Sequence, residues 1–310
     1  MSAPDVLKIA TRKSQLALWQ AEHVAALVRA AHPDVAVELL PLSTTGDRIV
    51  DRSLAAIGGK GLFIKELESA LNDHSADLAV HSMKDVPAEL PPGLTIAAVL
   101  PRADPHDALI TDRAAGLADL PKGARLGTSS LRRQAQLLAV RPDLCIVALR
   151  GNVDTRLKRL AGGELDAIVL ACAGLARLGL ESRITERLDP KISLPAVGQG
   201  VIGIECRVGD SRTRRRLHAL EDTPTRAAIE AERAFARRLG GSCQSPIAGF
   251  ARLHADQLTL EGLVAEPDGS RVLRDSIAGN AAQPQRLGVE LAERLLVAGA
   301  DALLERLRRA

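Results

Sequence analysis

A single stretch, Leu126-Gly127-Thr128-Ser129-Ser130-Leu131-Arg132-Arg133, leads from the end of an apolar run directly into the start of a helix. Cations in the first turn of a helix oppose its dipole at roughly 0.3–1 kcal/mol each, so Arg132 and Arg133 are unfavourable there unless an anion offsets them. Helix N-termini present unpaired N–H groups to anions, and guanidinium groups make such a site selective for phosphate or carboxylate. The stretch therefore predicts a strand–turn–helix unit that binds an anion.

Three further strand-to-helix turns carry the same mixture of hydroxyl, glycine and cationic residues. They are Ile9-Ala10-Thr11-Arg12-Lys13-Ser14, Ala79-Val80-His81-Ser82-Met83-Lys84-Asp85 and Ala148-Leu149-Arg150-Gly151-Asn152-Val153-Asp154-Thr155-Arg156. Four turns of this kind indicate a substrate with many negative charges. Strands that alternate with helices in this way are typical of an α/β fold with a mostly parallel sheet, covered by helices on both faces.

Length and composition restrict the class of protein. A chain of 310 residues exceeds the size at which single cores usually stop growing, so two or three domains are expected. No apolar run approaches the ~20 residues of a membrane span, and the first residues lack the order of a signal peptide, so we expect a cytoplasmic protein with no membrane partner. A net charge of +3 and an aromatic content of 1% argue against nucleic acid as a partner.

The four cysteines show neither a Cys-x-x-Cys pair nor histidines at metal-ligand spacing, so neither a disulfide framework nor a metal site is predicted. Cys145, Cys172 and Cys206 lie in apolar, strand-like runs and are expected to be buried. Cys243 differs, because it follows Leu239-Gly240-Gly241-Ser242, where two glycines stop a helix, and precedes a strand. We therefore expect Cys243 to be a loop thiol that is open to modification.

The order of predicted elements divides the chain into three domains. Residues 1–99 and 200–218 form a first α/β lobe, and residues 100–199 form a second. Residues 219–310 form a small C-terminal α+β domain, in which Asp268-Gly269 is a hairpin turn between two strands. Cys243 stands at the entrance to this third domain.

Two crossings are expected to join the α/β lobes. The apolar run Val201–Cys206 can return to the first sheet, which makes the second crossing. Two lobes joined near Ala98–Pro105 and Leu194–Gly200 are expected to hinge around a cleft. The polar, glycine-rich stretch Ser43–Ile57 is expected to act as a lid over it.

Seven motifs in chain order resemble one known family. They are Ile9-Ala10-Thr11-Arg12, Gly58-Gly59-Lys60-Gly61-Leu62-Phe63, Ala79-Val80-His81-Ser82-Met83-Lys84-Asp85, Gly127-Thr128-Ser129-Ser130-Leu131-Arg132-Arg133, Arg150-Gly151-Asn152, Leu194-Pro195-Ala196-Val197-Gly198-Gln199-Gly200 and the Cys243 loop. Together they are similar to the porphobilinogen deaminase (hydroxymethylbilane synthase) family over essentially the whole chain. The resemblance implies a fold whose first two domains are similar to type 2 periplasmic binding proteins. It also implies a transferase of tetrapyrrole synthesis, which joins four porphobilinogen molecules head to tail and releases the linear product with water.

The resemblance further implies a dipyrromethane cofactor, held by Cys243 through a thioether, and no metal; we expect a monomer. Asp85 is expected to be catalytic, since a carboxylate can stabilise the cation that forms when ammonia leaves and can transfer protons. The residues expected to bind the cofactor are Ser82, Lys84, Asp85, Thr128, Ser130, Arg132, Arg133, Arg150 and Gly151. Those expected to bind the substrate are Arg12, Ser14, Lys60, Phe63, Arg156, Arg177 and Gln199.

Several alternatives stay open. Arg177 has the alternative of a surface charge at a helix end, Phe63 that of a core residue, and His81 is either a core histidine or a group behind the site. Ala56 stands where some members of the family are expected to carry lysine, which weakens a second lysine contact from that loop. Two hinged α/β lobes also describe a solute-binding protein without catalysis, but such a protein has no use for a loop cysteine that faces the cleft.

Overall fold

The computed structural model describes residues 5–48, 64–241 and 245–309. The chain forms two compact units, Met1–Arg102 with Val201–Arg226 and Ala103–Gly200 with Ala227–Ala310. Within the described residues the first unit contains one β-sheet and the second contains two. None of the helices in these ranges is long and apolar enough to cross a membrane. The boundaries of the three predicted domains stay a prediction.

Helices lie between many of the strands as far as residue 207, although β3 to β6 and β9 to β10 follow one another without an α-helix between them. In chain order they are β1 (Asp5–Arg12), α1 (Gln15–Ala31), β2 (Val35–Leu42), α2 (Thr45–Arg48), α3 (Lys65–Asn72), β3 (Leu78–Ser82), β4 (Leu94–Val99), β5 (Asp107–Ile110), β6 (Arg125–Gly127), α4 (Leu131–Val140), β7 (Cys145–Val147), α5 (Val153–Ala161), β8 (Ala167–Ala171), α6 (Cys172–Arg177), β9 (Glu186–Leu188), β10 (Ile202–Arg207), α7 (Ser211–Leu217), α8 (Thr223–Arg238), β11 (Ile247–His254), β12 (Gln257–Ala265), β13 (Val272–Asn280), α9 (Pro284–Leu295) and α10 (Asp301–Arg309).

The sheet of the first unit has the strand order β2-β1-β3-β10-β4. The strands β2, β1 and β3 are parallel, whereas β10 is antiparallel to both of its neighbours. The predicted return of Val201–Cys206 to the first sheet is therefore confirmed. Helix α1 covers one face of this sheet, because its buried stripe, which includes Ala21, Val24 and Val28, shares a core with Leu7 and Ile9 of β1.

The larger sheet of the second unit has the order β7-β6-β8-β5-β9. The strands β7, β6 and β8 are parallel, and β5 runs antiparallel to β8 and β9. Apolar clusters lie on both sides of this sheet, as the continuous apolar run of β8 predicts for a central strand. Each five-stranded sheet thus has four strands in one direction and a single antiparallel strand, in agreement with the predicted mostly parallel sheets.

The third sheet, β11-β12-β13, is an antiparallel meander. Phe235 of α8 is fully buried against it, and a Cβ atom at Gly262 would lie 2.5 Å from the Phe235 ring, so β12 needs glycine at that point. Gly269 has a φ of +73° in the hairpin between β12 and β13, which confirms the turn predicted at Asp268-Gly269. The predicted fold class, two α/β sheets followed by a small α+β region, is confirmed.

The cysteines follow the sequence prediction only in part. Cys172 and Cys206 are buried, as predicted. The prediction for Cys145 is wrong, because this residue is exposed. It begins β7, which lies at the edge of its sheet, so only one side of that strand has a neighbour.

Candidate active site at the strand ends of two sheets

In the first unit, the ends of two neighbouring strands bring predicted residues together. Strands β1 and β3 are parallel, with Ile9 opposite Leu78 and Ala10 opposite Ala79, so their carboxyl ends lie at one edge of the sheet. In open α/β folds, ligands bind outside such an edge. We call this the first edge; the predicted residues that follow β1 and β3 here are Arg12, Ser14, Ser82, Lys84 and Asp85.

Two hydroxyl groups at the first edge are engaged in local structure. Ser14 is the N-cap of α1, and its side chain accepts a hydrogen bond from the Ala17 N–H at 3.4 Å. Ser82 Oγ accepts a hydrogen bond from Gln20 Nε2 at 2.9 Å, and Gln20 is buried. These bonds fix the two turns, and each hydroxyl can make a further hydrogen bond.

The turn that carries Asp85 is a single 3₁₀ turn, Met83–Asp85, directly after β3. The Met83 N–H donates to the Val201 carbonyl at 3.0 Å, and the Val86 N–H donates to the Met83 carbonyl at 3.2 Å. Met83 is buried, whereas Lys84 and Asp85 are partly exposed. The sheet therefore holds the backbone of the turn, and the Asp85 carboxylate stays accessible.

Behind this turn lies a cluster of buried titratable groups, formed by His81, Glu205 and Glu68. His81 Nε2 is 2.8 Å from Glu205 Oε2, and the two side chains are 3% and 0% exposed. Burial raises the pKa of Glu68, and the nearby Glu205 charge raises it further. In the described part of the chain, Oε1 of Glu68 and Oε1 of Glu205 have no hydrogen-bond partner. The acidic cluster, as we call it, thus holds two carboxyl groups for one imidazole.

The second unit gathers predicted residues in the same manner. Strands β7, β6 and β8 are parallel neighbours, so their carboxyl ends lie at one edge, which we call the second edge. Strand β5 begins there, because Asp107 is opposite Ala171. The predicted residues in the segments that follow these three strands are Thr128, Ser130, Arg132, Arg133, Arg150, Gly151, Arg156 and Arg177.

Arg132 and Arg133 converge on one carboxylate, that of Asp107. Arg132 Nη2 lies 2.9 Å from Asp107 Oδ2, and Arg133 Nη2 lies 2.7 Å from Oδ1. The exposed fractions are 4% for Arg132, 6% for Arg133 and 0% for Asp107. Burial alone would raise the pKa of Asp107, but the two guanidinium groups outweigh it and hold the pKa well below its usual range. We call these three residues the basic cluster.

The anion that the first helical turn of α4 requires is thus supplied in part by the protein itself. The sequence analysis assigned it to a ligand and did not identify Asp107. Ser193 Oγ donates to Asp107 Oδ2 at 2.7 Å, and Gln199 Nε2 donates to Oδ1 at 2.9 Å, so the predicted residue Gln199 belongs to the same network. The available signal was an aspartate immediately before an apolar strand, in a chain with two adjacent arginines that need an anion.

Hydroxyl and glycine residues shape the two turns of the second edge. Ser130 caps α4 by accepting a hydrogen bond from the Arg133 N–H at 3.4 Å. Thr128 Oγ1 accepts one from the Ser130 N–H at 3.2 Å. Gly151 has a φ of +99°, and Arg156 Nε donates to its carbonyl at 2.8 Å. A left-handed backbone of this kind favours glycine, which explains the Arg-Gly-Asn sequence at this turn.

Two arginines of the second edge are partly desolvated. Burial lowers the pKa of Arg177 to about 10 and also lowers the pKa of Arg150. Arg177, the last residue of α6, donates from Nη2 to the Gly200 carbonyl at 2.7 Å. Such a half-buried guanidinium differs from a solvated surface charge, which was the alternative considered for Arg177.

The charges of the basic cluster do not balance. Two guanidinium groups, which do not lose their protons in proteins, share one buried carboxylate. Both guanidinium groups also donate to backbone carbonyls, Arg132 to Leu194 at 2.6 Å and Arg133 to Val169 at 2.8 Å, so their hydrogen bonds are largely made while the three side chains keep a net positive charge. A net positive charge at this edge favours an anion nearby. Arg150, Arg156 and Arg177 add cations to the same edge. The donor set therefore fits a group that carries several carboxylates, whereas the first edge offers one accessible carboxylate, Asp85, beside Lys84.

Three predicted site residues lie outside the described residues: Cys243, Lys60 and Phe63. The same holds for most of the predicted lid, Ser43–Ile57, and for Ala56. The predictions for these residues stay predictions.

Two family models match the chain. Residues 7–215 match the model described as "Porphobilinogen deaminase, dipyromethane cofactor binding domain", and residues 227–297 match the porphobilinogen deaminase C-terminal domain. The chain is also similar to the porphobilinogen deaminase of Syntrophotalea carbinolica, with 54% identity over 300 residues, which cover 97% of this chain and 95% of the relative.

Solved structures with a similar fold include periplasmic binding domains of low sequence identity. The periplasmic VFT2 domain of Bordetella pertussis BvgS has a TM-score of 0.44 and 16% identity, over 69% of this chain and 86% of that one. The methionine-binding protein MetQ has a TM-score of 0.45 and 13% identity, over 70% of this chain and 91% of that one. No conclusion on ligand or activity follows from similarity at this level.

Proposed function

The chain belongs to the porphobilinogen deaminase family, and we propose that it is a transferase that deaminates porphobilinogen and joins four molecules of it head to tail on a dipyrromethane primer. Release of the linear tetrapyrrole by water completes the cycle. We further propose that the protein acts as a monomer in the cytoplasm. The roles given below to individual residues are part of this proposal.

The charge imbalance of the basic cluster is the structural observation that carries the proposal. Each pyrrole of the substrate and of the primer bears an acetate and a propionate, so a growing chain gains two carboxylates at every step. The two guanidinium groups that share Asp107 leave the basic cluster with a net positive charge. Charge-assisted hydrogen bonds from arginine to carboxylate are among the strongest that proteins make, at roughly 1.5–3 kcal/mol each.

The dipyrromethane group fits the residues of the second edge. Arg132, Arg133 and Arg150 would hold its carboxylates, Thr128 and Ser130 would add hydroxyl donors, and Gly151 would hold the turn in its left-handed conformation. Cys243 would supply the thioether. When bound, the group supplies the pyrrole carbon to which the first substrate is joined.

Asp85 is proposed as the catalytic residue at the first edge. When ammonia leaves the aminomethyl group of the substrate, positive charge develops on the neighbouring carbon, and a carboxylate close to that carbon stabilises it. The same carboxylate can accept the proton that the pyrrole carbon loses after the new bond forms. The anchored backbone of Met83–Asp85 supports this role, because a fixed carboxylate needs no reorganisation in the transition state. Ser82 and Lys84 would bind the primer beside it.

The remaining predicted residues would bind the incoming substrate. Arg12 and Ser14 stand at the first edge, and Arg156, Arg177 and Gln199 belong to the second unit. The half-buried Arg177 supports such a role, because a desolvated guanidinium attracts a carboxylate more strongly than a solvated one does. Lys60 and Phe63 are proposed as further substrate contacts.

Intact mass of the purified protein, followed by peptide mapping, tests the proposal. An added mass of two linked pyrrole units on the peptide that contains Cys243 is expected. The variant Cys243→Ser should lack this mass and form no product from porphobilinogen. The variant Cys145→Ser is the matched control, since Cys145 is exposed in this structure and should leave both mass and activity unchanged. An unmodified Cys243 that stays unmodified after incubation with porphobilinogen would contradict the proposal and favour a solute-binding protein.

A further inference from the structure

The acidic cluster has no part in the proposed chemistry, yet it lies directly behind the turn that carries Asp85. Glu205 belongs to β10 and His81 to β3, and the two strands are antiparallel neighbours. Three contacts connect β10 with the end of β3 and the turn after it. One is the hydrogen bond from the Met83 N–H to the Val201 carbonyl, at 3.0 Å. The second is the contact between His81 and Glu205, at 2.8 Å.

The third contact requires a glycine. A Cβ atom at Gly203 would lie 2.1 Å from Met83 Sδ, so the Met83 side chain occupies the space that any other residue would fill. Gly203 is also the residue opposite His81 in the register of β3 and β10. Residues 201–205, which include the start of β10, therefore fix His81 and Met83, the residues on either side of Ser82.

Stability alone does not account for a buried Glu205. A carboxylate that is 0% exposed has lost its hydration, and Oε1 of Glu205 gains no hydrogen bond in return among the described residues. Replacement of such a buried pair by apolar residues of similar volume is often neutral or stabilising. The pair instead fixes the orientation of the two side chains, because a hydrogen bond between buried groups is directional and apolar contacts are not.

We propose that Glu205 is a positioning residue for the Asp85 turn and that it acts through its hydrogen bond to His81. The proposal rests on the catalytic role proposed for Asp85. In this arrangement the end of β3 is locked to β10, so the Asp85 carboxylate is held in one place while substrates succeed one another. Catalysis is sensitive to such placement, since an error of about 1 Å in a reacting group can cost roughly 100-fold in rate.

The neighbouring groups are consistent with this arrangement. Glu68 of α3 faces Glu205 and His81, and Lys65 of the same helix lies near Glu68. Burial and the Glu205 charge both raise the pKa of Glu68 and so favour its protonated form, which lowers the repulsion between the two carboxyl groups. His81 remains the hydrogen-bond partner of Glu205.

Two variants separate positioning from stability. The double variant His81→Leu/Glu205→Leu removes the hydrogen bond and leaves apolar groups, so the protein should unfold at the same or a higher temperature while kcat falls at least about tenfold and KM stays within about twofold. The single variant Glu205→Gln keeps a hydrogen-bonding partner for His81, and its kcat should stay within about threefold of the wild type. A residue with only a structural role would change stability and activity together.

A third variant perturbs the turn without any change of charge. Gly203→Ala places a methyl group against Met83 and should lower kcat with little change in KM. The matched control is Glu221→Gln, which removes one charge from the partly buried Glu221–Arg226 pair of the same unit. Its kcat should equal that of the wild type.

Hydrogen exchange of the Met83 amide provides a readout that does not depend on turnover. Exchange at this amide should be faster in the double variant and unchanged in Glu221→Gln. If the double variant keeps the kcat and the Met83 exchange rate of the wild type, the positioning role is wrong. If Glu205→Gln loses as much kcat as the double variant, the charge and not the hydrogen bond is essential, and the proposal is again wrong. If the wild type releases no ammonia from porphobilinogen, the proposed function fails, and the exchange rates alone decide the positioning role.

Discussion

Each unit buries an imbalance of charge near the carboxyl ends of the parallel strands in its five-stranded sheet. The two imbalances have opposite signs. The acidic cluster of the first unit has two carboxyl groups for one imidazole, and the basic cluster of the second has two guanidinium groups for one carboxylate. A carboxyl group can take up a proton, so the first imbalance is settled within the protein. A guanidinium group does not release its proton, so the second cluster keeps its net positive charge. Only the second imbalance therefore supports the proposal that its edge receives an anionic ligand.

The largest expected effect tests whether chemistry belongs to the first edge. Asp85→Asn removes the accessible carboxylate there, and kcat should fall by about 10²–10⁴-fold with little change in KM. Steady-state release of ammonia from porphobilinogen measures both constants. Glu89→Gln, an exposed carboxylate on the same segment, is the control and should behave as the wild type. Equal kcat values for the two variants would remove the catalytic assignment from Asp85.

The next effect tests the basic cluster. Asp107→Asn leaves two buried guanidinium groups without a charged partner, and the free energy of unfolding should fall by about 3–5 kcal/mol. Urea denaturation measures this change. Glu290→Gln breaks the exposed Arg294–Glu290 pair and should cost only about 0–1 kcal/mol. Similar losses of unfolding free energy in the two variants would mean that the buried Asp107 contributes no more to stability than an exposed ion pair does.

A smaller effect tests whether the second edge binds and does not catalyse. Arg156→Gln should raise the KM for porphobilinogen by about 10–100-fold, because one charge-assisted hydrogen bond is lost, with kcat within about threefold of the wild type. Lys158→Gln, two positions further along α5 and exposed, is the control and should leave both constants unchanged. A fall in kcat at unchanged KM would place chemistry at the second edge as well.

The smallest effect tests whether the charge of the acidic cluster changes with pH, in contrast to the charge of the basic cluster. The pKa of Glu68 is raised in the folded state above 4.5, its ordinary value, so the contribution of Glu68 to stability is fully present below that pH and is lost as pH rises through the folded pKa. Glutamine does not ionise. Glu68→Gln should therefore gain stability relative to the wild type as pH rises above about 4.5, and the difference should be constant at lower pH. Urea denaturation from pH 4 to pH 8 measures the difference, and a gap that closes as pH rises would contradict the assignment.

Local sequence signals were sufficient to predict where the helices that carry the candidate site begin. Helices α1 and α4 begin directly after two of the turns that the sequence analysis describes, because Ser14 and Ser130 cap them from the preceding residue. By contrast, β4 and β9 were not predicted; both lie at sheet edges. The exposure of Cys145 depends on the position of β7 in its sheet, which an apolar run does not reveal.

The sequence around Asp107 shows an aspartate before an apolar strand, but it does not reveal which residues the aspartate contacts. Its partners Arg132, Arg133, Ser193 and Gln199 lie between 25 and 92 positions away. Motifs and helix dipoles indicate that an anion is needed at α4, but they do not say whether the protein or a ligand supplies it. The structure shows that the protein supplies one carboxylate for two guanidinium groups.

The position of β10 between β3 and β4 also affects how the chain is made. Strand β4 ends at Val99, and among the strands that the structure describes it pairs only with β10, which begins at Ile202. At ~5–20 residues per second, a ribosome takes about 5–20 s to cover that interval. All strands of the β7-β6-β8-β5-β9 sheet are synthesised within it. The sheet whose first strands leave the ribosome earlier is therefore the one that is completed later. The edge of β3 stays unpaired until residue 207 has left the exit tunnel.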